Sequence, residues 1–268
     1  MLAGLDPNAD WRGMDMTAVT ANELRAARKR EVALGYRIFG ALGWGDLGDG
    51  HISARDPERT DCFWLLRGDV AFRDARVDDL VLLGPDGRIV EGGGGTNRPA
   101  FFIHWPVLAA RPDLVSVAHT HTPFGTPFSA EARLLEPITQ EACVFFEDHA
   151  LFDDEEVQVQ GLDCGARIAA ALGGNRAAVM RNHGLLTVGA SVREAVAWFV
   201  MMERVAEAHV KARAARPISA GAARYAKSDL ATEAQADRVF HFLVRHHLGA
   251  SAEAECSGAA DTIRAVGG

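Results

Sequence analysis

The sequence predicts a single α/β domain in three layers, a mainly antiparallel central sheet flanked by helices on both faces. Three observations carry this. Short β-branched or apolar runs follow one another closely between His51 and Val90, separated by Asp-Pro and Pro-Asp-Gly turns, a spacing that suits antiparallel meanders rather than crossover units. Longer stretches with apolar residues at helical spacing lie around and between the runs. No internal repeat or linker interrupts the pattern, and 268 residues with 48% apolar composition supply a substantial core.

Residues 1–16 read as a loose arm, residues 17–249 as the domain, and residues 250–268 as an ill-ordered tail. Thr17 to Leu42 is rich in Ala, Glu, Arg and Leu, with Leu24, Ala27, Val32, Leu34, Ile38 and Leu42 roughly at helical spacing, and Gly43 and Gly45 end it. The glycine-rich stretch Gly45 to Gly50 lacks the Lys-Ser/Thr and the preceding strand of a phosphate loop, so it reads as a turn. Strands are expected over His51 to Arg55, Phe63 to Leu66, Leu80 to Leu83 and Arg88 to Val90. Gly92 to Gly95 then leads into a helix from Arg98 to Ala110, with Phe101, His104, Trp105 and Leu108 along one stripe.

Further strands are expected at Val115 to His121, Ala177 to Met180 and Leu185 to Val188. Gly161 to Leu172 and Val192 to Ala212 read as helices, the second opened by Ser191 with Glu194 completing a capping box. Ser228 to Leu248 reads as one last helix, with His246 and His247 at its terminus.

Composition excludes several classes. A net charge of −8 without a basic cluster argues against nucleic acid. No run reaches the ~20 apolar residues of a membrane span, and Met1 to Asp15 is too acidic and broken for a signal peptide. The cysteines, Cys62, Cys143, Cys164 and Cys256, form no close pair, which disfavours a zinc ribbon or dithiol motif and suits a reducing cytoplasm. A soluble cytoplasmic protein is expected.

The chemistry centres on Val115 to Gly125, Val-Ser-Val-Ala-His-Thr-His-Thr-Pro-Phe-Gly. Side chains two apart on a strand share a face, so His119 and His121 point together at the strand's end. Such a pair either holds a metal or is a polar strand end with two satisfied histidines. His183, in Arg-Asn-His-Gly after the 177–180 run, lies at a second strand-turn junction. Three neutral imidazoles leave an open coordination position, as a catalytic metal requires.

His-Thr-His after Ala-Arg-Pro-Asp-Leu-Val (110–115), with Asn-His-Gly downstream and Gly-His-Ile-Ser-Ala-Arg (50–55) upstream, resembles the class II aldolase and adducin family from about Glu31 to Ala212. The resemblance implies that His119, His121 and His183 hold a divalent metal, and that the chain forms a homotetramer with sites at subunit contacts, where a neighbour's Tyr225 helps complete the site. In the sugar-phosphate aldolases of the family a glutamate one turn before the helix histidine moves the proton. That histidine matches His104, and the glutamate position is Ala100, which cannot transfer a proton. His51 replaces an asparagine of the phosphate pocket, Arg98 and Pro99 replace hydroxyl residues, and Arg67-Gly68 stands nearest to a Thr-Gly. A phosphorylated sugar is therefore not the expected substrate, while Arg67 and Arg98 suit a carboxylate.

With Ala100 inert, Glu147, His149 and Glu141 are the candidate acid/base residues, their alternative being a polar loop over the sheet edge. His51 and His104 are candidate substrate contacts, although His104 suits a core position equally well. Lys29, Lys211 and Lys227 lie in polar contexts, which disfavours a Schiff base. The leading expectation is a divalent-metal-dependent lyase, performing aldol-type cleavage or decarboxylation of a non-phosphorylated 2-oxo or hydroxy acid. The metal is zinc or iron(II), with manganese and cobalt also compatible. One alternative is a non-haem iron(II) oxygenase acting on an arylpyruvate- or mandelate-type acid, like family members in aminocoumarin pathways. Trp64, Phe101, Phe102, Trp105 and Phe124 then line an aryl pocket or are simply core. A non-catalytic adducin-like scaffold is the remaining alternative.

Overall fold

A computed structural model describes residues 20–255; the expected arm and the tail beyond residue 255 lie outside the described residues. The first helix, α1 (Ala21–Ala41), begins where Thr20 accepts the Glu23 N–H and the Glu23 carboxylate takes the Thr20 N–H in return. Strands β1 (Gly50–Arg55), β2 (Phe63–Leu66), β3 (Leu80–Leu83) and β4 (Ile89–Glu91) form the expected antiparallel meander. Helix α2 (Arg98–Ala110) is capped by the Asn97 side chain on the Ala100 N–H.

β5 (Ser116–Thr120) enters the sheet beside β1, and the short α3 (Gly125–Ser129) follows. Then come β6 (His149–Phe152), α4 (Leu162–Leu172), β7 (Ala177–Met180), β8 (Gly184–Gly189) and α5 (Val192–Lys211). The eight strands are ordered β4-β3-β2-β1-β5-β8-β7-β6, and every pairing is antiparallel except β6 with β7. The three-layer expectation holds.

Pleat alternation splits the core in two. Ile52, Ala54, Trp64, Ala118 and Leu185 face α1, α5 and the last long helix, while Phe63, Leu65, Val117, Leu186 and Val188 face α2 and α4. α2 and α4 cross closely at Gly165, where an added Cβ would come 1.8 Å from the Phe102 carbonyl oxygen. Pro106, four residues after Phe102, has no N–H to occupy that carbonyl.

Some expectations fail. The single helix over 228–248 is two, α6 (Ala220–Leu230) and α7 (Glu233–Leu248), broken where Thr232 caps the second on the Gln235 N–H. Glu194 turns to the Ala190 N–H, 2.7 Å away, although Ser191 caps α5 as expected. Residues 250–255, expected to be ill-ordered, are helical with Ala252 buried. β6 had no local signature, because its ladder partner β7 comes 28 residues later. No described helix is long and apolar enough to cross a membrane.

A polar knot holds α1 to the meander. Asp56 is fully buried and accepts from Arg25 Nε (2.6 Å) and Nη2 (3.0 Å), Trp64 Nε1 (2.9 Å), and the backbone N–H of Glu58 (3.0 Å) and Arg59 (2.9 Å). Burial alone raises a carboxyl, but the bonds from Arg25, Arg59, Trp64 and Glu58 outweigh it and hold Asp56 well below the usual range. Asp56→Asn, which sets an amide N–H against these donors, costs about 3 kcal/mol. Since the folded pKa lies below the unfolded value of ~3.9, this stabilisation is present above pH ~4 and lost as pH falls through the folded value. Urea midpoints of wild type and variant therefore converge below pH ~4; a gap unchanged by pH refutes the assignment.

Candidate metal centre

The central strands deliver three imidazoles to one place. His119 sits inside β5 on the α2 face, and His121 follows two residues later, just past the strand's end. β8 runs beside β5 and starts at Gly184, so the turn before it places His183 against the same strand end. That turn is tight. Asn182 takes a φ of 58°, a left-handed conformation asparagine tolerates, its N–H reaches the Ser129 carbonyl, and Gly184 has a φ of 151°. One ligand atom each from His119, His121 and His183 fall within 4.8 Å of one another.

The surroundings prepare these nitrogens for a cation. His119 Nδ1 donates to the Leu185 carbonyl at 2.7 Å, which leaves Nε2 as its free lone pair. Burial, reinforced by the imidazoles of His183, His51 and His121, holds His119 well below the ordinary histidine range. Burial, and then His121, pull His183 down to about 4. Both are neutral at pH 7, the state in which imidazole binds metal. Behind His121, Asp49 Oδ2 lies 3.4 Å from Nδ1, and the buried Asp49 Oδ1 has no hydrogen-bond partner. A carboxylate behind a histidine fixes the orientation of its ring, and an unbonded buried oxygen suits a site completed by positive charge. The residues fit a divalent ion with open coordination positions.

Two further supports were not visible in the sequence. Buried Glu203 of α5 accepts from the Thr122 hydroxyl (2.5 Å) and the N–H groups of Phe124 (2.9 Å) and Gly125 (2.7 Å), clamping the turn after His121. Its only signal is a carboxylate on the apolar stripe of that helix. Asp49 lay within a glycine-rich stretch that signals only a turn. Its backbone carbonyl accepts the Thr120 hydroxyl at 2.5 Å, which ties it to β5.

Of the expected substrate contacts, His51 and His104 come to the trio. His51 lies directly across from His119 in the β1–β5 register, ring centroids 5.0 Å apart, and its Nδ1 is 2.7 Å from His104 Nε2. Ala100 lies one turn before His104, fully buried in the α2 core, so the position carries no acid/base group. Arg67 is paired with Asp69 (3.1 Å) and Asp79 (3.4 Å). Arg98, exposed in the first turn of α2, rests over the Phe102 ring. Tyr225 stands out from α6, 82% exposed.

The candidate acid/base residues are engaged elsewhere. Glu147 forms a bidentate pair with Arg224. His149 uses both ring nitrogens, accepting the Leu135 N–H at Nε2 and donating to the Phe145 carbonyl from Nδ1. It is also on the wrong face: it pairs with Ala177, which faces α1 and α5, and β6 is three strands from β5, about 14 Å at ordinary strand spacing. Glu141 lies in the exposed part of the 141–145 turn that packs on α6. Trp64 is no pocket wall; it is fully buried on the α1 face, bonded to Asp56, with Lys29 over its ring. Phe101 is core, whereas Phe102, Trp105 and Phe124 are only partly buried.

Fold and site together define a class of protein, an α/β/α domain that gathers three imidazoles where two central strands meet their turns. The chain belongs to the class II aldolase and adducin N-terminal domain family, matching it over residues 30–210. It is 40% identical over 211 residues to "Decarboxylase NovR" of Streptomyces niveus, covering 78% of each chain. It is likewise 40% identical over 210 residues, 76% of each chain, to the "4-hydroxy-3-prenylphenylpyruvate oxygenase/4-hydroxy-3-prenylbenzoate synthase" of Streptomyces roseochromogenus subsp. oscitans. Among solved structures, an L-fuculose 1-phosphate aldolase from Glaciozyma antarctica superposes with a TM-score of 0.78 at 32% identity, covering 85% of this chain and 92% of that one.

Proposed function

We propose that this chain is an iron(II)-dependent oxygenase that shortens a non-phosphorylated aryl 2-oxo acid by oxidative decarboxylation. The observation that carries the reading is the donor set: three imidazoles with open positions, beside a helix turn where Ala100 removes the proton-transfer group an aldolase needs. The names of the two Streptomyces relatives support it. The oxygenase thus replaces the non-oxidative lyase as the leading reading.

His119, His121 and His183 would hold the ion. A divalent ion there supplies Lewis acidity for the 2-oxo carbonyl and, as iron(II), electrons for dioxygen. Asp49 and the Leu185 carbonyl orient the imidazoles, and Glu203 holds the turn that carries His121 in place. The exposed Arg98 offers a guanidinium to a carboxylate, and partly buried Phe102 and Trp105 offer apolar surface to an aryl group. No lysine is poised as a nucleophile: Lys29 covers Trp64, Lys211 pairs with Glu207, and Lys227 binds the Phe146 carbonyl. A homotetramer, in which exposed Tyr225 serves a neighbour's site, belongs to this reading; a monomer by light scattering removes that part.

One observation favours a metal-dependent non-oxidative lyase as second reading: the buried His51–His104 pair offers ring nitrogens that can move a proton where Ala100 cannot. Iron-loaded protein supplied with phenylpyruvate or 4-hydroxyphenylpyruvate separates the two. The expected result is carbon dioxide release coupled to dioxygen uptake and abolished under argon. Release at an unchanged rate under argon selects the lyase. No turnover together with no tightly bound metal selects the scaffold.

A further inference from the structure

Ser53, His104 and His51 form a hydrogen-bonded chain from the core to the edge of the trio, and its direction can be read from its buried end. Ser53 Oγ is 2.6 Å from His104 Nδ1, and His104 Nε2 is 2.7 Å from His51 Nδ1. Ser53 and His104 are fully buried and His51 is 3% exposed. No carboxylate hydrogen-bonds to either ring among the described residues, so both imidazoles are neutral and one proton lies on each.

Two directions are then open. If His104 Nδ1 donated to Ser53, the serine hydroxyl proton would need another acceptor, and among the described residues the hydroxyl has no other hydrogen-bond partner. A stranded hydroxyl donor in the core is disfavoured. If Ser53 donates to His104 Nδ1, then His104 Nε2–H donates to His51 Nδ1, and the remaining proton sits on His51 Nε2. That nitrogen has no partner among the described residues and is not among their sealed, unsatisfied buried atoms, so it is open to a ligand.

We infer that His51 presents an N–H donor to a carboxylate or carbonyl oxygen of an acid bound at the trio, and that Ser53 and His104 are positioning residues that hold it in that tautomer. The position fits, since the His51 ring stands 5.0 Å from that of His119. The polarity also separates His51 from the trio: a nitrogen carrying its proton cannot be a fourth ligand. The identity of the ligand rests on the function proposed above; the direction of the chain does not.

The test has two arms. In protein labelled with nitrogen-15 histidine, metal-free and zinc-loaded, two-bond proton–nitrogen correlations should show His51 protonated at Nε2 and bare at Nδ1. Ser53→Ala, which removes the donor that fixes His104, should shift His51 toward the other tautomer, an effect a purely packing role would not produce. In the second arm, calorimetry of zinc-loaded protein with phenylpyruvate should show binding weakened about 10- to 100-fold by His51→Ala, while His51→Gln, whose amide restores an N–H, stays within a few fold of wild type. A proton on Nδ1 in the wild type overturns the inference without recourse to any variant, as does glutamine binding no better than alanine. Failure of the wild type to bind phenylpyruvate overturns the ligand assignment and the proposed function together, while the spectrum still decides the tautomer.

Discussion

Replacing His121 with alanine is expected to yield a folded protein that no longer holds the proposed metal and loses, with it, about 10³-fold or more of the proposed activity. The side chain is 40% exposed at the end of β5, so little core packing is lost. Two imidazoles do not hold a divalent ion as three do, and charge stabilisation by a metal is worth several kcal/mol at the transition state, each 1.36 kcal/mol being tenfold in rate. Elemental analysis of anaerobically purified, untagged protein reads the outcome, with the thermal midpoint as control. Iron near one equivalent in the wild type and a small fraction in the variant is expected. Asp49→Asn should give a graded result, about 10- to 100-fold weaker metal binding, because it alters the partner of a ligand rather than the ligand. A full equivalent of metal in His121→Ala means that the ion, if any, is bound elsewhere.

Arg193→Leu is expected to destabilise the fold by about 3–5 kcal/mol, the largest stability effect anticipated here. Arg193 opens α5 and is almost fully buried; its Nε donates to Glu31 of α1 at 2.7 Å, and its Nη1 pairs with Asp237 of α7. One guanidinium thereby joins three helices on one face of the sheet. Burial already pushes the Glu31 carboxyl up despite the arginine beside it, so removing Arg193 leaves a buried acid with its main charge partner gone. Removing both partners is milder, because the fully buried acid goes with its arginine and the carboxylate that remains, Asp237, is only partly buried. Urea unfolding of Arg193→Leu and of Glu31→Leu/Arg193→Leu tests this; a single variant within 1 kcal/mol of wild type, or a double variant worse than the single, removes the triad from the account.

Much of the site was legible locally. The two-residue period of a strand puts His119 and His121 on one face, and Asn-His-Gly before an apolar run marks His183 as a turn residue at a strand start. Helix α2 has the expected bounds, since Asn97 and Pro99 announce its start and the apolar stripe its length, and so Ala100 falls one turn before His104. What stayed hidden depended on partners far along the chain. Glu147 and His149 looked as available as any polar residue, until Arg224, 77 residues on, took the first and the Leu135 and Phe145 backbone took the second.

The sequence by itself determined the layers, most strands and helices and the three candidate histidines, because each is written in a period of two or 3.6 residues or at a strand-turn junction, while the family resemblance alone joined those histidines into a ligand set and set Ala100 against the aldolase acid/base group. Only the tertiary structure decided that β6 joins the sheet through a parallel pairing, and that His149 faces away from the trio. It alone placed Asp49 behind His121, Glu203 under the turn, and Ser53 and His104 behind His51. The physical reason is that register and face are collective. A strand's pleat says that two residues share a side, but which side, and who lies across from them, is set by neighbouring strands whose pairing partners are remote in sequence.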